Sequence, residues 1–323
     1  MSKWSFRKKF VFGLVLCLIA FFGFKTWTTL GSERGRPLAM NEILHLEIKG
    51  VIMNGKQFLK QLAKHKKDSS VKAIVIEINS PGGAVGPSQE IFSEIVRAKK
   101  ETGKPIVCVS TGLIASGGYY SALGCDKIVV APGTMIGSIG VIMEFANLEK
   151  LYDWAKISRY SITSGKFKDS GAEYRPMRDD ERQLFQSMIN EVYQQFAGAV
   201  AEARKLKPEF VAQYADGRVM TGSTAVKLGF ADMEGTFEDA VKLAAKIAGL
   251  KEDNYKVYRP IKERVSFSDF FFNQDEDDEL NTQEEAKSFL SGFKKMTPAE
   301  TIKDLLKTKY MNQPMYLMPG YWE

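Results

Sequence analysis

Three short segments combine glycines with a polar residue at the end of a strand-like run, where α/β proteins place their ligands. The first is INSPGGAVG (78–86). Pro81 fixes φ there, and Gly82 and Gly83 allow a turn with close backbone approach, so amide N–H groups can face an anion. A plain strand-to-helix turn uses the same residue types. The second is STGLIASGGYYSALGCDKIVV (110–130). Ser116 stands where a helix should open, so free N–H groups and the positive end of the macrodipole would stabilise an alkoxide. Gly117 and Gly118 leave room for an extended substrate backbone, with small or apolar side chains in the adjoining pocket. A serine at a helix start also serves as a simple N-cap. The third is MIGSIGVIM (135–143), followed later by TSGKFKDSG (163–171).

A nucleophilic serine needs a base, and histidine is the usual one. His45 lies in a strand far upstream and His65 in a lysine-rich helix, and neither has a motif around it. Lysine remains. A lysine acts as a base only when neutral, which means lowering its pKa from about 10.4; a shift of roughly three units costs on the order of 4 kcal/mol. Lys168, in a glycine-flanked loop, is by default a solvated charge, and spacing alone does not set it above Lys166.

The segments INSPGG, ASGGYY, GSIGV and SGKFKD, in this order and at these separations, closely resemble the short, single-repeat form of signal peptide peptidase A (peptidase family S49), a family with the ClpP/crotonase fold. The resemblance covers about residues 42–250. It implies that Ser116 is the nucleophile, Lys168 the general base and Ser138 the serine that orients that lysine. It further implies an oxyanion hole made by the Gly83 and Gly117 N–H groups, Gly82 being the poorer partner of Gly117. A ring-shaped homo-oligomer is implied, with Ser116 from one chain and Lys168 from its neighbour, and no metal or cofactor. The implied substrates are remnant signal peptides and other membrane-proximal or unfolded segments.

The elements that must position these residues alternate strand and helix. Strands are expected at 42–48, 71–78, 105–109, 127–131 and 139–143, and helices at about 55–67, 87–100, 116–123 and 179–205, the last closed by Pro208. This order predicts an α/β domain with a largely parallel sheet, and the resemblance makes it a spiral of ββα units. Beyond Leu250 the texture changes to FSDFFFNQDEDDEL and a PMYLMPGYW ending, so residues 251–323 are expected to form a separate, partly flexible extension. Its aromatics fit packing against a neighbouring subunit better than interfacial anchoring.

Compartment is read from the N-terminus. Lys3, Arg7, Lys8 and Lys9 precede an uncharged run from Phe10 to Phe24, which extends to Leu30 with Lys25 as its one charge. Residues 1–30 are therefore expected to be an uncleaved signal anchor, a transmembrane helix with its basic flank in the cytoplasm, followed by a linker at 31–41. The domain at 42–250 then lies outside a bacterial plasma membrane. Net charge is +6 over 323 residues, but the basic residues form no stripe interleaved with aromatics, which argues against a nucleic-acid partner. Cys108 and Cys125 flank strand-like segments and read as small buried hydrophobes rather than reactive thiols. Two rival functions share the fold: an acyl-CoA hydratase or isomerase, which a secretion signal disfavours, and a catalytically silent scaffold.

Overall fold

The computed structural model describes residues 41–251, 254–260 and 314–317. The expected anchor at 1–30 lies outside them, and among the described residues no helix is long and apolar enough to cross a membrane.

A strand–strand–helix unit recurs along the chain. After β1 (Glu42–Lys49) and α1 (Lys56–His65), the first unit is β2 (Val71–Asn79), β3 (Gly82–Ala84) and α2 (Val85–Thr102). The second is β4 (Ile106–Ser110), β5 (Leu113–Ala115) and α3 (Gly117–Ala122). The third begins with β6 (Lys127–Val130) and β7 (Met135–Gly137), but its helix is delayed. Before it come α4 (Glu149–Trp154), α5 (Asp179–Arg204), α6 (Pro208–Ala212) and β8 (Val219–Thr221), and only then α7 (Gly222–Leu228). The described chain ends with β9 (Met233–Glu234), α8 (Phe237–Ile247), β10 (Lys256–Tyr258) and β11 (Met315–Leu317).

Six strands form one sheet in the order β10-β1-β2-β4-β6-β9, parallel throughout. Side chains alternate across it. Leu44, Leu46, Ile48, Ile74, Ile76 and Ile78 point into one core cluster that also holds Leu62 of α1, Ile91 and Ile95 of α2, Tyr119 of α3 and Phe196 and Val200 of α5. Ile43, Ala73, Val75, Val107 and Val109 point the other way, under Ala240, Val241 and Ala244 of α8. With both faces covered, the strand at 71–78 reads as a nearly continuous apolar run. Each fully buried isoleucine contributes about 2 kcal/mol relative to exposure, so the loops at the strand ends leave a rigid base. The short strands β3, β5 and β7 form a second layer, in which β5 pairs β7, β7 pairs β8, and β3 pairs β11. The three glycine-bearing segments all fall in that layer.

Several expectations are corrected. The strand expected at 139–143 is absent: pairing ends at Gly137 because Gly137 and Ser138 both take positive φ (+104° and +50°), and only Ile142 makes an isolated bridge further on. Pro208 does not close the long helix. That helix ends at Arg204 with Lys205 left-handed, and Pro208 opens α6 at the position where a missing N–H is harmless. Cys108 and Cys125 are buried but joined as a disulfide, Cα atoms 5.9 Å apart, because α3 returns the chain beside β4. From the stretch expected as a separate extension, β10 adds to β1 and β11 pairs with β3, so both strands belong to the fold of the main domain.

Candidate active site

Ser116 occupies the turn between β5 and α3. Its N–H donates to the Gly137 carbonyl at 2.8 Å and its own carbonyl accepts from the Tyr120 N–H at 2.8 Å. These bonds hold it at φ +50°, ψ −117°, a conformation that costs a non-glycine residue about 1–3 kcal/mol. The side chain is 1% exposed, makes no capping bond to its helix, and leaves Oγ buried with no hydrogen-bond partner among the described residues. An N-cap serine earns its place by accepting from the first turn, and this one does not. An unpartnered buried hydroxyl costs about 1–3 kcal/mol, and strain together with an orphaned polar group is the signature of a site kept for chemistry.

Two glycine amides converge beside it. On one edge of β3, Ile52 donates its N–H to the Gly82 carbonyl (2.8 Å) and accepts from the Ala84 N–H (2.7 Å). Alternation along a strand then turns the Gly83 N–H to the opposite edge. Gly82 is less free, since its N–H donates to Ser80 Oγ at 3.1 Å. A Cβ placed on Gly82 would stand 2.6 Å from the Gly117 nitrogen and 3.0 Å from Ser116 Cβ, and one on Gly117 would stand 3.1 Å from the Gly83 nitrogen. The site therefore brings the serine and two amide nitrogens together at a close approach that only glycine allows. Ser138, next to the residue whose carbonyl holds Ser116, is 3% exposed and donates its N–H to the Arg218 carbonyl at 2.8 Å.

Lys168 stands apart. It is exposed in the loop after Gly165, its N–H donating to the Gly165 carbonyl at 3.1 Å, and among the described residues no carboxylate pairs with its amine. Lys166 is occupied: its Nζ lies 2.7 Å from Asp180 Oδ2 and over the Phe167 ring. Structure thus separates two lysines that spacing left equal. Within one chain the Lys168 amine does not reach Ser116 Oγ.

Sequence reasoning missed the network that anchors the loop just after Lys168. Arg175 Nη2 lies 3.0 Å from Asp169 Oδ2 and 2.5 Å from Oε1 of the fully buried Glu181 side chain. Arg178 reaches the same Glu181 oxygen at 2.7 Å, and Glu181 accepts the Arg178 backbone N–H at 3.0 Å. The only hint was the acidic start of α5. The hydrogen bonds from Arg175 hold the carboxyls of both Glu181 and Asp169 below their ordinary values of 4.5 and 3.8. Both folded-state values are depressed, so the stabilisation is complete above the ordinary values and is lost as pH falls through the depressed ones. Acid titration of the wild type is therefore expected to show a loosening of the 163–181 segment, read by hydrogen exchange, beginning only below about pH 4. Arg175→Ala should show that loosening already at pH 7; equal protection in both proteins at pH 7 would remove the network's role.

Known proteins resemble this chain in sequence. Residues 98–251 match peptidase family S49. A protein of Synechocystis sp. named as a protease is 40% identical over 219 residues, 67% of this chain and 78% of that one. The chain belongs to peptidase family S49. This is the signal peptide peptidase A family that the four motifs resemble. Protease 4 of Salmonella typhi is 34% identical over 199 residues, 62% of this chain and 32% of its own. The chloroplastic serine protease SPPA of Arabidopsis thaliana is 32% identical over 206 residues, covering 64% and 30%. The S49 chain thus spans most of the first relative and about a third of the other two. It is a serine protease with an α/β fold.

Proposed function

We propose that this S49 protease is a membrane-anchored endopeptidase with a Ser/Lys dyad, Ser116 from one copy and Lys168 from the next copy in a ring. The observation that carries the reading is the buried, unpartnered Ser116 Oγ, held at a positive φ beside the Gly83 and Gly117 amides. In the reaction, neutral Lys168, oriented by Ser138, takes the Ser116 proton as the oxygen bonds to a peptide carbonyl carbon. The two amides hold the developing oxyanion, each contributing about 3–4 kcal/mol. The lysine returns the proton to the leaving amine, and water hydrolyses the ester by the reverse route.

The shared boundary is supported by the surface leading to Lys168. Trp154 and Tyr160 are each 80% exposed and Ile162 is 94% exposed, with Leu151, Ile157 and Phe167 exposed around them. A second copy seated there would bury these side chains and shut water away from the amine, which favours its neutral form. Placement outside the plasma membrane is supported by the basic flank and apolar run at 1–30, and by a disulfide, a bond that persists in oxidising compartments. An anchored site in that position meets remnant signal peptides and unfolded segments near the membrane, the substrate class we assign.

Because the base works unprotonated, kcat/KM for peptide hydrolysis by the detergent-solubilised oligomer is expected to rise with pH and then level as the amine finishes titrating. A flat profile between about pH 6 and 10, with chemistry limiting, is incompatible with lysine as the base.

A further inference from the structure

The INSPGG segment holds a residue that neither the dyad nor the oxyanion donors account for. Ser80 is fully buried in the turn between β2 and β3. Its hydroxyl donates to the Gly50 carbonyl at 2.7 Å and accepts the Gly82 N–H at 3.1 Å. The first bond commits the hydroxyl proton and leaves a lone pair to face Gly82. The backbone of Ser80 is engaged as well: its N–H donates to the Leu113 carbonyl at 2.9 Å, and its carbonyl accepts the Ala115 N–H at 3.0 Å. Ala115 directly precedes the nucleophile. The first turn of α3 passes close by, since a Cβ on Gly118 would stand 3.2 Å from Ser80 Cβ and 3.4 Å from its Oγ. One buried residue therefore ties the strand that carries the oxyanion donor to the strand and helix that carry Ser116.

Any residue type offers the backbone bonds, so the hydroxyl is what serine adds. What it fixes follows from the two peptide groups that meet at Gly82. The Gly82 carbonyl and the Gly83 N–H belong to one planar group, so the 2.8 Å bond from the Ile52 N–H to that carbonyl also sets where the Gly83 N–H points. The group on the other side carries the Gly82 N–H, and Ser80 Oγ holds it. Between the two lies a glycine at φ +102°, with no Cβ to restrict rotation. Without the bond from Ser80 the planes turn more freely about Gly82, and the Gly83 N–H loses its fixed aim. An oxyanion donor is effective because its direction is set before charge develops.

We propose that Ser80 is a positioning residue of the hydrolysis, its hydroxyl locking Gly82 so that the Gly83 N–H is aimed at the developing oxyanion. The inference rests on Ser116 as the nucleophile and on Gly83 as a donor. That donor contributes most once the carbonyl oxygen becomes charged, so losing its aim lowers kcat and leaves KM nearly unchanged.

The test uses the detergent-solubilised full-length protein as wild type, Ser80→Ala and Ser80→Thr. It reads kcat and KM on labelled unfolded casein, and Ki for the tightest of a panel of peptide boronates. A boronate bonds to the nucleophile and places an oxygen in the oxyanion hole, and its Ki does not depend on how much of a preparation is active. Ser80→Ala is expected to lower kcat ~10²-fold and to raise Ki by the same factor, with KM changed by less than about two-fold. Ser80→Thr keeps the hydroxyl and should bring both back to within a few-fold of wild type. If Ser80→Ala does not fold, Ser80→Cys decides on the same readouts: its sulfur is a weak acceptor, so kcat and Ki should each shift by ~10-fold. A lower kcat with unchanged Ki marks a residue that only holds the fold together and overturns the proposal. So does an unchanged kcat, or a loss in Ser80→Thr equal to that in Ser80→Ala. Ser116→Ala separates this from the reading beneath it: if that variant cleaves casein as fast as the wild type, the serine assignment falls and the role of Ser80 with it.

Discussion

Replacing Ser116 with alanine is expected to lower kcat/KM for an unfolded protein substrate by ~10⁴-fold or more, with no loss of thermal stability. The two halves of that expectation have one cause. Ser116 Oγ is buried and unpartnered, so the fold gains nothing from it: Ser116→Ala removes a group whose isolation costs about 1–3 kcal/mol. The strained backbone is unchanged, because alanine meets the same positive φ held by the same bonds from Gly137 and Tyr120. Tm should therefore stay level or rise, while activity falls to whatever the oxyanion donors retain. Kinetics and differential scanning calorimetry on one preparation separate the outcomes. A fall in activity matched by a fall in Tm would mean that Ser116 is a packing residue.

Lys168→Ala is expected to lose activity on the same scale, ~10³-fold or more, and the double variant with Ser116→Ala should be no worse than the poorer single one, because the two residues act as a unit. Arginine at 168 should not rescue, since a guanidinium does not give up its proton near neutral pH. Lys166→Ala provides the comparison. Its amine pairs with Asp180 at the start of α5, so its loss should change activity by only a few-fold, as for an exposed ion pair worth about 0–1 kcal/mol. Similar losses for Lys166→Ala and Lys168→Ala would mean that the loop, not one amine, matters.

How legible this was in the sequence depends on whether the information was local. Strands such as Val71–Asn79 and Ile106–Ser110 announce themselves by apolar runs, because both faces of the sheet are covered. The motif at 110–130 shows a serine followed by two glycines because the turn needs them consecutively. The strands β3, β5 and β7 did not stand out, being three residues each and defined by pairing rather than pattern. That the Gly83 N–H turns away from Ile52 depends on which edge of β3 Ile52 occupies, a contact between distant residues. The disulfide was missed for the same reason, since nothing near Cys108 or Cys125 says that α3 brings the chain back beside β4. The Arg175–Asp169–Glu181 network lacks the usual serine or threonine cap signal, because the residue before α5 is Arg178. PMYL reads as an aromatic ending until its register against Gly82 and Gly83 is seen.

A dyad divided between copies is most directly tested by mixing two inert chains. Ser116→Ala and Lys168→Ala, each inactive alone, are co-expressed in equal amounts and purified as one assembly. If each boundary takes its serine from one chain and its lysine from the next, random mixing restores about a quarter of wild-type activity. If the mixed assembly stays as inert as either variant alone, the serine and its base do not meet across a boundary, and the account is wrong at its centre.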